Sequence, residues 1–191
     1  MIIIENALPH LMHQWMMEVC LSNRFEWAFC PDTAYGTAGV RTPSPGFSKT
    51  LLETTARHRE EVWFERFELL LLNLIDRSCC NPHRLQRVRF GLYIPTQHEG
   101  HNGIHTDRDT PHTTLLYYLN DNDGDTFFFD RDEKTLIKRI TPKANSMVVF
   151  NGLTPHASSN PSKGWKISLN LNIEGFSTRI IDNIRQREGN K

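Results

Sequence analysis

The sequence predicts an α+β fold that is mainly β, with helices in the first 85 residues and strands from there to about residue 176. Three observations carry this. Apolar residues recur every three or four positions over 9–21 and again over 54–76, the period of a one-sided helix. From about residue 86 the period changes to two, the signature of strands with two unlike faces. Runs of strand after a helical start point to helices buttressing a β-sandwich or barrel, not to alternating βαβ units. With 191 residues and no internal repeat, low-complexity tract or linker, a single domain over 1–191 is expected.

A short strand, Ile2 to Ile4, opens the chain, and a helix follows from about Pro9 to Leu21. Leu11, Trp15 and Val19, with Met12 and Met16 beside them, give that helix one apolar face. Pro9 suits its first turn, where a missing N–H costs nothing. Over residues 31–50 all periodicity stops. Pro31, Gly36, Gly39, Pro43, Pro45 and Gly46 punctuate a loop that also holds Tyr35, Arg41 and Phe47. A loop this long is either an active-site lid or an ordinary surface excursion. A long helix is expected from about Thr54 to Asp76, with Val62, Trp63, Phe67, Leu70, Leu71 and Leu74 as its stripe. Asn81-Pro82 closes the helical region.

Two later segments alternate cleanly. Val88, Phe90, Leu92 and Ile94 oppose Arg87, Arg89, Gly91 and Tyr93, while Ile167, Leu169, Leu171 and Ile173 oppose Lys166, Ser168, Asn170 and Asn172. The polar faces either meet solvent or line the lumen of a barrel. The charged end of the chain, with Arg179, Arg185, Arg187 and Lys191, is expected to face water.

Composition excludes some function classes. Lys+Arg and Asp+Glu are equal at 22 each, so no global field favours nucleic acid, which is not an expected partner. No apolar run is long enough to span a bilayer, and the start lacks the pattern of a signal peptide, so no membrane association is expected. Cys20, Cys30, Cys79 and Cys80 have neither disulfide-framework nor zinc-ligand spacing, which suits packed thiols in a reducing, cytoplasmic compartment.

The chemistry centres on His105-Thr106-Asp107 and on His156, which follows the apolar run 146–150. Residues two apart on a strand share a face, so His105 and Asp107 can chelate one ion together, with His156 arriving from another strand. Two imidazoles and one carboxylate form the facial triad that suits Fe(II) and leaves positions open for O2 chemistry. A zinc-dependent hydrolase on the same three residues, or a non-catalytic metal-binding module, are the alternatives. His98 and His101 sit one residue short of H-E-x-x-H spacing, and with His112 they read as loop residues.

Five segments in order then carry a family resemblance: Gly103-Ile-His-Thr-Asp107, Thr113 to Asn120, Asp123-Gly-Asp-Thr-Phe127, Met147-Val-Val-Phe150 with Pro155-His156, and Gly164-Trp-Lys-Ile-Ser-Leu169. Together they resemble the prolyl-4-hydroxylase-like branch of the Fe(II)/2-oxoglutarate-dependent oxygenases. The resemblance implies a double-stranded β-helix, or jelly roll, with its core at about 86–176 and N-terminal helices packed on one sheet. It implies His105, Asp107 and His156 as metal ligands, and Lys166 as partner of the distal carboxylate of 2-oxoglutarate. Tyr93, Tyr117 and Ser168 are implied as further donors to that cosubstrate. The cofactors so implied are Fe(II), 2-oxoglutarate and O2, with ascorbate as candidate reductant. The implied activity is hydroxylation of a protein side chain, a prolyl residue among them, or of a small molecule, with release of succinate and CO2.

Overall fold

Alternation in the second half of the chain builds two antiparallel sheets, and the helices of the first half cover one of them. The computed structural model describes residues 1–33, 44–96 and 100–177. In chain order the elements are β1 (Ile2–Ile4), α1 (His10–Leu21), β2 (Ala28–Cys30), β3 (Gly46–Glu53), β4 (His58–Arg59), α2 (Glu61–Ser78), β5 (Leu85–Tyr93), β6 (His112–Tyr118), β7 (Thr126–Phe129), β8 (Leu136–Ile140), β9 (Ser146–Asn151), β10 (His156–Ser158) and β11 (Lys166–Glu174). The large sheet runs β1-β9-β6-β11-β5-β3-β2, with β4 paired to β3, and the small sheet runs β10-β7-β8. This is the expected mainly-β jelly roll with helices on one sheet.

Strand parity divides the interior into two cores. Val88 and Phe90 of β5, Leu115 and Tyr117 of β6, and the four aliphatic residues of β11 join the residues of α1 and α2 in one buried cluster. Tyr118, Phe128, Ile140, Val148 and Phe150 form a second cluster between the sheets. Burial of each such side chain contributes about 1.5–3 kcal/mol, enough to pin the register of every central strand. With the apolar faces committed to the helices, the polar faces of β5 and β11 turn inward between the sheets. They line a lumen and do not meet solvent, which decides between the two alternatives that the alternation left open.

The helices depart from the sequence expectation in informative ways. Pro9 stays extended as the residue before α1 (φ −52°, ψ 140°) and does not enter its first turn. The buried row of α1 is Met16 and Cys20, one residue round from the expected row; Leu11 is exposed, although Trp15 still packs edge-on against Phe67 at 5.4 Å between centroids. α2 begins at Glu61, not near Thr54, because β3 runs to Glu53 and pairs back through Leu52↔Arg59 and Glu53↔His58. β-Branched Thr54 and Thr55 sit in the turn of that hairpin, where they fit better than in a helix. Val62 lies outside the stripe and is exposed.

β3 falls inside the stretch read as a loop. Its alternation is masked because Lys49 takes a core-side position beside Leu51. The Lys49 stem lies near Phe25 and Trp63, with Nζ 5.3 and 5.9 Å from the ring centroids, and its charge is met by Glu60 at 3.1 Å. Phe47 therefore belongs to a strand, while Tyr35, Arg41, His98 and the charged C-terminal residues 178–191 lie outside the described residues. No disulfide joins any two of Cys20, Cys30, Cys79 and Cys80, and among the described residues no helix is long and apolar enough to cross a membrane.

One glycine is required by close approach. A Cβ at Gly152, in the turn before β10, would sit 1.9 Å from Nε2 of the fully buried His112. Gly152→Ala is expected to cost about 1–3 kcal/mol by forcing His112 from its place, measured as a lowered urea midpoint with unchanged slope.

Candidate active site

His105 lies between β5 and β6, and an isolated bridge ties it to His156 at the start of β10. Each residue's backbone N–H donates to the other's carbonyl at 2.9 Å, so the two imidazoles come from directly opposed positions, with centroids 4.6 Å apart. Asp107 follows two residues on, in a bend and not a regular strand. One ligand atom from each of His105, Asp107 and His156 lies within 4.8 Å of the others. The structure thus brings together the three residues that the spacing singled out.

Both rings are oriented for ligation. His105 Nδ1 is 3.0 Å from the Gly103 carbonyl, and His156 Nδ1 is 3.0 Å from that of Thr154. A carbonyl oxygen can only accept, so each Nδ1 carries the proton and each Nε2 keeps its lone pair for a metal. His156 also stacks on Phe128 and meets Phe150 edge-on. Burial drives its pKa down to about 4, against the opposing pull of Asp107, so it is neutral at physiological pH.

Asp107 is held by four donors. Arg87 reaches its Oδ1 at 2.6 Å, while Thr114, Asn170 and Asn172 donate to Oδ2 at 3.0, 3.1 and 3.0 Å. Burial alone would raise the carboxyl pKa. Arg87, then His156 and His105, and the Asn170 hydrogen bond outweigh that and hold it well below the usual carboxylate range. A carboxylate fixed in the ionised state beside two imidazoles is a donor set that fits Fe(II).

Lys166 stands four residues from Asn170 on the same face of β11. It is 1 % exposed and donates to the Gly124 carbonyl at 2.6 Å, with Nζ 5.3 Å from the centroid of Tyr93. Burial lowers its pKa to about 7, only partly offset by Asp125. Asp125 is itself engaged by Arg139, and among the described residues no carboxylate forms an ion pair with Lys166. Tyr93 and Ser168 line the same cavity of about 270 Å³ as His105 and Asp107. A buried ammonium without a counter-ion, at the far end of that strand face from the triad, fits the distal carboxylate of 2-oxoglutarate.

Tyr117 does not belong to this group. Strand parity turns it to the helix side of β6, where its hydroxyl meets His13 Nδ1 at 2.6 Å and donates to Asn145 Oδ1 at 3.0 Å. Its neighbour Tyr118 points between the sheets and donates to Thr126 at 2.7 Å. His101 packs against Phe127 and Phe129, and His112 is bonded to the Thr110 carbonyl; neither joins the triad. The residues that sequence reasoning passed over are Arg87, Thr114, Asn170 and Asn172 on Asp107. Their position on the polar strand faces was the available signal.

Known proteins resolve the family. The family model of the 2OG-Fe(II) oxygenase superfamily matches residues 82–174, the stretch from the end of the helical region through β11. Residues 82–174 belong to the 2OG-Fe(II) oxygenase superfamily. The chain is accordingly an Fe(II)- and 2-oxoglutarate-dependent oxygenase, and its cofactors are Fe(II), 2-oxoglutarate and O2. No curated protein sequence matches it. The oxygenase is similar in fold to a Pseudomonas putida prolyl-4-hydroxylase, at 17% identity over 92% of each chain and a TM-score of 0.57. It is similar to a Trichoplax adhaerens prolyl hydroxylase in complex with a hypoxia-inducible-factor oxygen degradation domain peptide, at 17% identity over 93% of this chain and 84% of that one, TM-score 0.62. It is also similar to HygX from Streptomyces hygroscopicus, solved with nickel, 2-oxoglutarate and hygromycin B, at 12% identity over 91% and 82%, TM-score 0.57.

Proposed function

We propose that this oxygenase hydroxylates a protein side chain or a small molecule at a centre held by His105, Asp107 and His156, with 2-oxoglutarate converted to succinate and CO2. The observation that carries the reading is the pairing of a preoriented His/Asp/His set with a buried, uncompensated Lys166 on one strand face. The histidines present Nε2 because backbone carbonyls fix their tautomers, and Asp107 stays ionised because Arg87 neutralises it. Lys166 anchors the far end of the cosubstrate, with Tyr93 and Ser168 along its length. Bound Fe(II) supplies O2 activation coupled to oxidative decarboxylation of 2-oxoglutarate. The phenylalanines around His156 keep water from the centre. The peptide-bound prolyl hydroxylase and the hygromycin B-bound HygX among the similar structures support both substrate classes, with a prolyl peptide the first to try.

The test is the visible spectrum of anaerobic protein as Fe(II) and then 2-oxoglutarate are added. A weak charge-transfer band that needs both additions is expected. It should be absent in His156→Ala and should demand about 10–100-fold more 2-oxoglutarate in Lys166→Ala, the loss of one charge-assisted contact. Tight zinc binding with no band and no succinate release would sink the reading.

A further inference from the structure

One cation beside the metal centre has no role in the chemistry above. Arg89 lies on the inward face of β5, opposite Thr50 of β3 and Asn170 of β11, and lines the cavity shared by His105 and Asp107. Among the described residues it forms no ion pair, and Asp107 is the cavity's one lining carboxylate. Asp107 is already taken by Arg87, whose Nε is itself buried without a hydrogen-bond partner. A divalent metal on Asp107 would share that carboxylate and add to the positive excess. The two carboxylates of 2-oxoglutarate do not cancel it, because one accompanies the metal and the other is matched to Lys166. Lys166 stands four residues from Asn170 on β11, roughly 13 Å along the strand, so Arg89 is at the opposite end from it.

The position of Arg89 also says which molecule meets it. Across β5 from the strand that carries Lys166 and Ser168, the cavity wall continues onto Phe47 and Ser48 of β3, which pair with Leu92 and Gly91, and onto Thr33 beside Gly46, so the cavity has room on the β3 side for a second molecule. We infer that the substrate carries an anionic oxo group, a carboxylate or a phosphate, that docks on Arg89 beside the metal centre; this rests on the oxygenase function proposed above. A guanidinium offers two parallel N–H donors to such a group, and a partly desolvated site strengthens the contact. A neutral substrate would leave Arg89 and the second face of Arg87 without counter-charge.

The experiment measures succinate release from Fe(II)-loaded protein at saturating 2-oxoglutarate with three pools of small molecules: carboxylic acids including free amino acids, the matching primary amides, and phosphate monoesters. One anionic pool is expected to stimulate release at least tenfold, and which one does so separates carboxylate from phosphate. For the active member, Arg89→Gln should raise KM about 30-fold with a smaller change in kcat, and Arg89→Lys should restore most of it. Anaerobic equilibrium dialysis of that compound against the loaded protein should show the same loss of affinity. Equal stimulation by the amides, stimulation by no pool, or an unchanged KM in Arg89→Gln overturns the inference. So does a rise in the 2-oxoglutarate requirement in place of the substrate KM. If wild type also shows no charge-transfer band with Fe(II) and 2-oxoglutarate, the oxygenase function itself fails; a band with these outcomes overturns the inference alone.

Discussion

Asp107→Ala is expected to abolish iron binding and, unlike a histidine variant, to destabilise the metal-free protein by about 3–5 kcal/mol. The reason lies in what the carboxylate holds. Arg87 is only 14 % exposed and its charge is met by Asp107 at 2.6 Å. Removing that partner leaves a guanidinium in the lumen with no counter-ion, and leaves donors of Thr114, Asn170 and Asn172 without their acceptor. Each stranded buried donor costs about 1–3 kcal/mol before relaxation. His156→Ala removes a neutral ring whose Nδ1 bond is to a local carbonyl, so it strands no charge. The contrast can be checked by urea unfolding of the metal-free proteins. Adding Arg87→Met to Asp107→Ala should recover more than half of the lost stability and none of the iron binding. If the double variant is no more stable than Asp107→Ala, the ion pair is not the source of the loss.

The same network shows what the sequence could and could not disclose. The grouping of His105, Asp107 and His156 is legible because metal ligation needs those residue types, and the strand period tells which neighbours share a face; the role proposed for Lys166 comes from the family resemblance. That period also put Ser168 and Tyr93 on the cavity side. It could not rank Tyr117 against Tyr118, since an unbroken run from Thr113 to Tyr118 offers no polar alternation and the pairing with β11 and β9 sets which tyrosine looks inward. The carbonyls of Gly103 and Thr154 that fix the histidine tautomers are backbone groups, invisible in residue identity. β3 is hidden in the sequence because Lys49 occupies a core-side position, where Glu60 meets its charge and Phe25 and Trp63 lie near it. α2 starts later than the apolar period suggests because Thr54 and Thr55 form the turn of the β3–β4 hairpin ahead of it.

Lys166 leads to the second large effect: the affinity for 2-oxoglutarate should fall about tenfold per pH unit above pH 7. The folded pKa of about 7 lies below the ordinary value of 10.5 because burial disfavours the ammonium. Only the protonated form pairs with the distal carboxylate, so above pH 7 binding must first load a proton onto a largely neutral amine. The sign for stability runs the other way. Between about pH 7 and 10.5 the unfolded chain holds this proton and the folded chain does not, so this group makes the ligand-free protein more stable as pH rises through that window. Below pH 7 the whole cost of burying the charge is present. Calorimetric titration of 2-oxoglutarate at pH 8 in buffers of different ionisation enthalpy should therefore report uptake of nearly one proton, declining towards none at pH 6. Lys166→Met should erase the uptake together with most of the affinity, and should leave the ligand-free fold no less stable at pH 6, since a buried charge is replaced by an apolar side chain of similar length. Proton uptake that persists in Lys166→Met would assign the titration to another group and remove Lys166 from its place at the end of the cosubstrate.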